Sequence, residues 1–382
     1  MAAERITQIL SDCIVSPLGF TSEDNFSDVL KGSSKLEKHT GTFGLPESFV
    51  ASLFDRERVG EVCAERGISD NFTFFEKCML LSSAQAIERS GIDASSDRVI
   101  FIFSTTKGNI GLLGTDDESR VALHSSAKAV AGYFGNKNTP LVVSNACISG
   151  VCALIAADRT LASGRYDYAV VTGADCQSRF IVSGFQSFKA LSDEPCRPFD
   201  AERKGLNLGE ASATIVLGSV SASDAGNSWY IADGAIRNDA NHISGPSRTG
   251  EGSFRTLRYL LESASPEELA FINVHGTSTP YNDEMESFAI ERAGLSDIPV
   301  NALKGYYGHT MGAAGILESI ISMRAADAGT VIGTKGYNKC GVNHSVNISA
   351  SSRKTDKKAF IKLLSGFGGC NAGLLFRKGG QR

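Results

Sequence analysis

Two stretches, one in each half of the chain, repeat the same order: a strand, a turn that carries a reactive side chain, and a helix of small and aliphatic residues. The first runs from "TPLVVSN" (139–145) through Cys147 into "ISGVCALIAADRTLASG" (148–164). The second runs from "IPVNALKGYYGHT" (298–310) into "MGAAGILESIISMRAADAG" (311–329). The first helix carries small and aliphatic residues on both faces, which predicts burial all round, and the second has the same composition. The repeat predicts a chain of two similar halves.

Other short β-branched runs alternate with longer helical segments, which predicts an α/β fold. The remaining predicted strands lie at 98–108, 166–175, 212–219, 268–276, 359–369 and 371–378. A length of 382 residues exceeds the size at which a single core usually stops growing, so two halves are expected. We place the boundary at the weakly Gly/Ser-rich segment 218–228, which gives an N-terminal half of residues 1–218 and a C-terminal half of residues 219–382.

Charge and cysteine content exclude several classes of protein. The formal net charge is −4 and the basic residues are scattered, so no basic face is expected for nucleic acid or anionic lipid. The nine cysteines include no CxxC pair, which argues against a disulfide framework or a zinc ribbon and favours a reducing compartment. The opening "MAAERITQIL" does not resemble a signal peptide, and no apolar run is long enough to span a bilayer. We therefore expect a cytoplasmic protein.

Cys147, His275 and His309 are the candidate reactive residues. A thiol at the first turn of a helix meets unpaired N–H groups and the positive end of the helix dipole, which favours a thiolate near neutral pH. Each histidine follows a predicted strand, at the edge where α/β sheets place their sites. Taken singly, each of the three is more often a buried structural residue. Together they predict one site with Cys147 as nucleophile.

Two further features belong to this site. Glu318 lies among aliphatic residues in "GILESIIS", and a buried carboxylate needs a cationic partner, for which we choose Lys304. The segment "GFGGCNAG" (366–373) is not expected to be a dinucleotide loop, because Asn371 stands where G-x-G-x-x-G has its third glycine. We interpret it as a tight turn whose backbone N–H groups face a substrate carbonyl, as in an oxyanion hole.

Four motifs, "NACISG", "HGTSTPYND", "KGYYGHTMGAAGILE" and "GFGGCNAG", resemble in sequence and order those of the β-ketoacyl-acyl-carrier-protein synthases, condensing enzymes of the thiolase-like superfamily. The resemblance implies a five-layered αβαβα fold of two pseudo-duplicated halves. It implies a 3-oxoacyl-[acyl-carrier-protein] synthase that joins a Cys-bound acyl chain to malonyl-ACP and releases carbon dioxide, in fatty acid or specialised polyketide or polyene biosynthesis. It also implies no metal and no cofactor, since the phosphopantetheine belongs to the acyl carrier protein. A homodimer or a ketosynthase heterodimer is expected.

The resemblance assigns a role to each site residue. Cys147 accepts the acyl chain, His275 and His309 donate hydrogen bonds to the malonyl thioester, and Lys304 orders the site through Glu318. Phe367 is implied to act as a gate and, together with Cys147, to supply the N–H groups of the oxyanion hole. The implied substrate-binding residues are Phe185, Thr277, Thr279, Gly368 and Lys189.

Three alternatives stay open. Cys370 replaces the usual Thr or Ser after "GFGG", and a second catalytic cysteine would indicate a thiolase, although a small buried thiol is the simpler interpretation. A cysteine hydrolase would need a G-x-C-x-G or "CGSCW" signature, whereas Asn145 and Ser149 occupy the flanking positions. A noncatalytic or chain-length-controlling partner subunit would share the fold but lack the nucleophile, so Cys147 argues against it.

Overall fold

The structure is a computed structural model that describes residues 5–224 and 226–380. The strands are β1 (Arg5–Val15), β2 (Glu37–His39), β3 (Phe49–Ser52), β4 (Val99–Ser104), β5 (Leu141–Val143), β6 (Tyr168–Asp175), β7 (Leu208–Gly209), β8 (Ala211–Ser221), β9 (Trp229–Asn238), β10 (Leu269–Asn273), β11 (Pro299–Asn301), β12 (Thr330–Val331), β13 (Asn347–Ile348), β14 (Arg353–Lys354), β15 (Ala359–Gly366) and β16 (Cys370–Lys378). The α-helices are α1 (Ser22–Leu30), α2 (Arg56–Glu65), α3 (Phe74–Ser90), α4 (Leu123–Tyr133), α5 (Ser149–Ala162), α6 (Arg179–Ser187), α7 (Glu251–Leu260), α8 (Pro280–Arg292), α9 (Lys304–Tyr307) and α10 (Ala314–Asp327).

The main sheet repeats one strand order. Its eleven strands run β13-β11-β10-β15-β16-β9-β1-β8-β6-β4-β5. The first half contributes the run β5-β4-β6-β8-β1 and the second half the run β11-β10-β15-β16-β9. When the five strands of each run are numbered by their order along the chain, both runs read 3-2-4-5-1. The pairs also match in direction, being parallel, parallel, antiparallel and antiparallel in each run. Strands β1 and β9 pair with each other and join the halves. The predicted duplicated α/β fold is confirmed, whereas the boundary after residue 218 stays a prediction and lies inside β8.

Helices α5 and α10 form the middle layer of the molecule. They contact each other, and each also contacts strands of both halves. Helix α3 covers the outer face of the first-half strands, and α7 covers that of the second half with α8 packed beside it. Every residue of α10 from 314 to 323 is buried, as expected for a helix that is apolar all round. The resulting order of layers is α, β, α, β, α.

Two glycines let the first turns of α5 and α10 touch backbone to backbone. A Cβ placed on Gly150 would lie 3.0 Å from the carbonyl oxygen of Gly312. A Cβ placed on Gly315 would lie 2.5 Å from the backbone nitrogen of Val151, a distance that real Cβ atoms do not adopt. The close crossing brings the turn before α5 next to the turn before α10.

Several elements differ from the sequence-based expectations. Strand β1 was not predicted because its polar residues interrupt the apolar pattern; Asp12, for example, pairs with Arg324 of α10 at 2.7 Å. The predicted strand at 298–310 is only Pro299–Asn301, and the chain then turns into the short helix α9. Among the described residues no helix is both long and apolar enough to cross a membrane.

Candidate active site

Cys147 lies on a strained turn between β5 and α5. The preceding residue, Ala146, has φ +46°, a left-handed conformation that costs a residue with a Cβ on the order of 1–3 kcal/mol. The Ser149 hydroxyl donates to the carbonyl oxygen of Ala146 at 2.6 Å and accepts the N–H of Asn145 at 2.8 Å, which holds the turn in place. The sharp turn thus forms without the flanking glycines of a G-x-C-x-G elbow.

The structure brings Cys147, His275 and His309 together. The Cys147 sulfur and one ring nitrogen of each histidine all lie within 4.8 Å of one another. The two imidazole rings are nearly perpendicular, with centroids 5.0 Å apart. One cysteine and two histidines at this spacing could hold a metal ion such as zinc, but they also place a nucleophile opposite two imidazoles.

Both imidazoles are neutral at pH 7. Burial, followed by the positive charge of Lys304, holds the pKa of both His275 and His309 well below its usual range. The backbone N–H of Met311 donates to Nδ1 of His309 at 3.2 Å, which places the ring proton on Nε2. Nε2 of His309 and Nδ1 of His275 are buried and have no hydrogen-bond partner among the described residues. The His309 N–H is therefore available to a substrate oxygen.

The expected thiolate at Cys147 is not present at neutral pH. Burial raises the pKa of this thiol to about 11, although Lys304 and the backbone N–H of Phe367 act to lower it. The prediction from helix position was wrong because the loss of solvation outweighs the charge of Lys304 and the backbone N–H of Phe367. The thiol must lose its proton as the sulfur attacks.

Alkylation of Cys147 by iodoacetamide should therefore accelerate by about tenfold per pH unit between roughly pH 7 and pH 9.5, because only the thiolate reacts. The rate would be measured by peptide mass spectrometry in the Cys340→Ala background, which removes an exposed cysteine. Circular dichroism at each pH would verify that the fold is retained. A rate that levels off below pH 8 would contradict the protonated thiol.

Glu318 is clamped by two lysines, of which the sequence analysis predicts one. The ammonium group of Lys304 donates to Glu318 Oε1 at 2.8 Å and to the carbonyl oxygen of His275 at 2.7 Å. The second ammonium group, that of Lys362, lies 2.5 Å from Glu318 Oε2. Burial acts to raise the pKa of Glu318, but the two lysines outweigh it and the pKa is lowered. The carboxylate is therefore ionised at neutral pH.

A cavity of about 500 Å³ ends at Cys147 and both histidines. Four of the five residues predicted to bind substrate line it, namely Phe185, Lys189, Thr277 and Thr279. Gly368 does not: its N–H donates to the carbonyl oxygen of Ile243 at 2.8 Å, and its own carbonyl accepts from Asn238. Its backbone instead joins the glycine turn to the end of β9 and the loop after it, and a substrate-binding role for Gly368 stays a prediction.

Phe367 lies on the turn between β15 and β16, and its backbone N–H is close to the Cys147 sulfur. Its ring stacks on Phe185 at 6.0 Å and meets the edge of Phe188 at 5.5 Å. The Cys370 thiol donates to the carbonyl oxygen of Phe367 at 3.2 Å, and burial raises the pKa of Cys370 to about 12. These features support Cys370 as a buried thiol that stabilises the turn.

Two family models match successive parts of the chain. The model of the β-ketoacyl synthase N-terminal domain matches residues 67–223, and that of the C-terminal domain matches residues 230–338. The chain belongs to the β-ketoacyl synthase family.

This β-ketoacyl synthase is 28% identical to a putative mitochondrial 3-oxoacyl-[acyl-carrier-protein] synthase of Schizosaccharomyces pombe, over 95% of the chain and 97% of the relative. It is 27% identical to 3-oxoacyl-[acyl-carrier-protein] synthase 2 of Vibrio cholerae, over 96% of the chain and 97% of the relative. Its fold matches a ketosynthase solved with its chain length factor from Xenorhabdus doucetiae, with TM-score 0.86 and 22% identity over 98% of both chains. A β-ketoacyl synthase from Burkholderia phymatum gives TM-score 0.86 and 23% identity over 98% of this chain and 100% of that one.

Three residues of the synthase site were missed from the sequence. Glu286 accepts the backbone N–H groups of His275 and Gly276 and so fixes the turn after β10. The sequence around Phe188 has no feature that distinguishes it from an aromatic residue that only packs against its neighbours. Lys362 could have been found, because a lysine inside the apolar run "AFIKLLSG" needs a buried anionic partner just as Glu318 needs a cationic one.

Proposed function

We propose that this β-ketoacyl synthase is a 3-oxoacyl-[acyl-carrier-protein] synthase that carries out decarboxylative condensation of acyl and malonyl thioesters. One observation carries the proposal: the Cys147 sulfur and two neutral imidazoles lie within 4.8 Å of one another at the end of a cavity. The names of the relatives that match nearly the whole chain support it.

The first step is acyl transfer to Cys147. The sulfur attacks the thioester carbonyl of the acyl carrier, a new S–C bond forms, and the carrier's thiolate leaves with the proton that the Cys147 thiol loses. The backbone N–H groups of Cys147 and Phe367 are the proposed donors to the oxyanion. The pKa of Cys147 supports this for Phe367, since its N–H already points at the sulfur.

The second step is decarboxylation and condensation. The bond between the malonyl carboxylate and the neighbouring carbon breaks, carbon dioxide leaves, and the electron pair forms an enolate whose oxygen accepts hydrogen bonds from His275 and His309. The enolate carbon then attacks the acyl carbon, and the Cys147 sulfur leaves as a thiolate that takes up a proton. Because the electron pair comes from the broken C–C bond, this proposed chemistry requires neither a redox cofactor nor a metal.

The surface around the cavity suits an acidic carrier protein with an apolar contact. Lys189 and Lys204 line the cavity, and Phe188 and Tyr281 expose 57% and 79% of their surfaces beside them. We propose that the carrier's phosphopantetheine arm enters here.

We also propose that a second subunit, identical or related, pairs on the edge strand β5, where Leu141 is exposed. A reducing compartment such as the cytoplasm keeps the proposed nucleophile reduced.

The decisive experiment is to incubate the purified protein with a panel of acyl-carrier-protein thioesters, with and without malonyl-carrier protein. Intact-mass spectrometry should show one acyl group on Cys147, and malonyl-carrier protein should then convert it to a 3-ketoacyl product two carbons longer with one carbon dioxide released. If no acyl donor modifies Cys147, the protein is instead a noncatalytic partner subunit.

A further inference from the structure

Lys362 is a fully buried lysine in the middle of strand β15. Placing an ammonium group in a protein interior is strongly unfavourable unless excellent partners surround it. We propose that Lys362 is a positioning residue of the active site, whose ammonium group fixes the backbone that carries His275. The proposal rests on the proposed function, since it concerns the histidine-dependent step of that reaction.

The partners of Lys362 all belong to the framework of the site. Its Nζ lies 2.6 Å from Asn273 Oδ1 and 2.5 Å from Glu318 Oε2. The carbonyl oxygens of Val274 and Asn273 lie farther away, at 3.4 and 3.5 Å. Asn273 in turn donates to Asn301 Oδ1 at 2.8 Å, which connects β10 to β11. The ammonium group therefore connects helix α10 to the end of β10 and, through Asn273, to the end of β11.

These contacts close a ring around the backbone of residues 273–275. Glu318 accepts from Lys362 through one oxygen and from Lys304 through the other. Lys304 completes the ring by donating to the carbonyl oxygen of His275 at 2.7 Å. Two lysines that share the Glu318 carboxylate thus bind the backbone that carries His275, Lys362 at residues 273 and 274 and Lys304 at residue 275. Removal of the Lys362 ammonium group would leave Glu318 with only one of its two lysine partners and would leave the Asn273 side-chain oxygen without its contact to an ammonium group.

The charge of Lys362 also favours the neutral state of both imidazoles. It contributes to lowering the pKa of His309 after burial and Lys304, and that of His275 after burial, Lys304 and His309. Burial lowers the pKa of Lys362 itself to about 8 against the opposing effect of Glu318, so the side chain is mostly charged at pH 7. Lys362 therefore supports the geometry of His275 and the protonation state of both histidines without touching substrate.

The test uses Lys362→Ala, which leaves an oxygen-lined space where the ammonium group was. Release of carbon dioxide from malonyl-carrier protein should fall about 10- to 100-fold, by analogy with the loss when a group that orients a metal-ligating side chain is removed. Acylation of Cys147 should fall much less, because that step uses backbone donors. Methylammonium chloride should restore decarboxylation in this variant, since the small cation can occupy the same oxygens.

Lys362→Met is the matched variant, because its side chain fills the space without a charge; it should lose decarboxylation and not respond to methylammonium. Lys354→Ala, at an exposed lysine of β14, should behave as wild type. If Lys362→Ala does not fold, Lys362→Gln takes its place, because its side chain keeps an N–H donor but no charge. It should likewise lose decarboxylation much more than acylation of Cys147. Each variant's fold would be verified by circular dichroism.

Selective loss of decarboxylation with methylammonium rescue in Lys362→Ala, or the same selective loss in Lys362→Gln, supports the proposal. Wild-type decarboxylation in a folded variant, or an equal loss of both steps with no rescue, overturns it. A wild-type protein that neither acylates Cys147 nor releases carbon dioxide would refute the proposed function instead. The two failures are thereby distinguished.

Discussion

Cys147→Ala should abolish condensation, with a loss of turnover on the order of 10⁶, as when the nucleophile of another covalent-catalysis enzyme is removed. The substitution deletes one buried sulfur atom at the end of the cavity, and no other described cysteine lies with both histidines in such a cluster. The measurement is product formation from acyl- and malonyl-carrier proteins, together with the mass of the intact protein. The acyl adduct should disappear with the product.

Cys340→Ala is the matched control, since Cys340 is exposed and lies outside the cavity. It should retain both the adduct and the product. An acyl adduct that persists in Cys147→Ala would assign the nucleophile to another cysteine. Cys370, whose thiol donates to the carbonyl oxygen of Phe367, would then be the first to examine.

His309→Ala should lower the decarboxylation of malonyl-carrier protein by on the order of 100- to 1,000-fold, the usual cost of removing one donor to a developing oxyanion. The donor is the N–H at Nε2, because Nδ1 accepts from Met311. His309→Gln keeps an N–H group near the same position and should recover part of the lost rate. Acylation of Cys147 should persist in both variants, which a mass measurement before malonyl addition would establish.

The wild-type decarboxylation rate should also be flat between about pH 6 and pH 7, because the lowered pKa of both histidines keeps the rings neutral and Lys362 stays mostly charged in this range. His344→Ala is the control, since that ring stacks on Phe288 and pairs with Glu291, away from the cavity. A rate that follows an ordinary histidine titration, or equal losses in His309→Ala and His344→Ala, would contradict the donor role.

The central helices and most strands of the main sheet could be predicted because their sequences are largely apolar. Helix α10 was expected at 311–329 and occupies Ala314–Asp327, and the predicted glycine-linked strands form the hairpin of β15 and β16. Strand β1 could not be recognised, because its polar residues are satisfied by partners more than 200 residues away, such as Arg324. A local pattern contains no information about such partners.

The convergence of Cys147, His275 and His309 could be anticipated only because equivalent strand ends share one edge of a sheet. The protonation state of the thiol could not, because the helix terminus is a local feature whereas burial depends on the whole fold. Lys362 shows the opposite case. A lysine in an apolar strand needs a buried anionic partner just as the Glu318 carboxylate needs a cationic one, so the sequence could have predicted a second charge in the same network.

The repeated strand order has a consequence for how such a centre can arise. The turn before α5 supplies the sulfur and the turn before α10 supplies an imidazole, and these turns occupy corresponding places in the two repeats. Two unlinked, identical copies of one repeat would have to present the same side chain at both places. Fusion into a single polypeptide removes that restriction, so one copy can specialise in attack while the other specialises in holding the enolate.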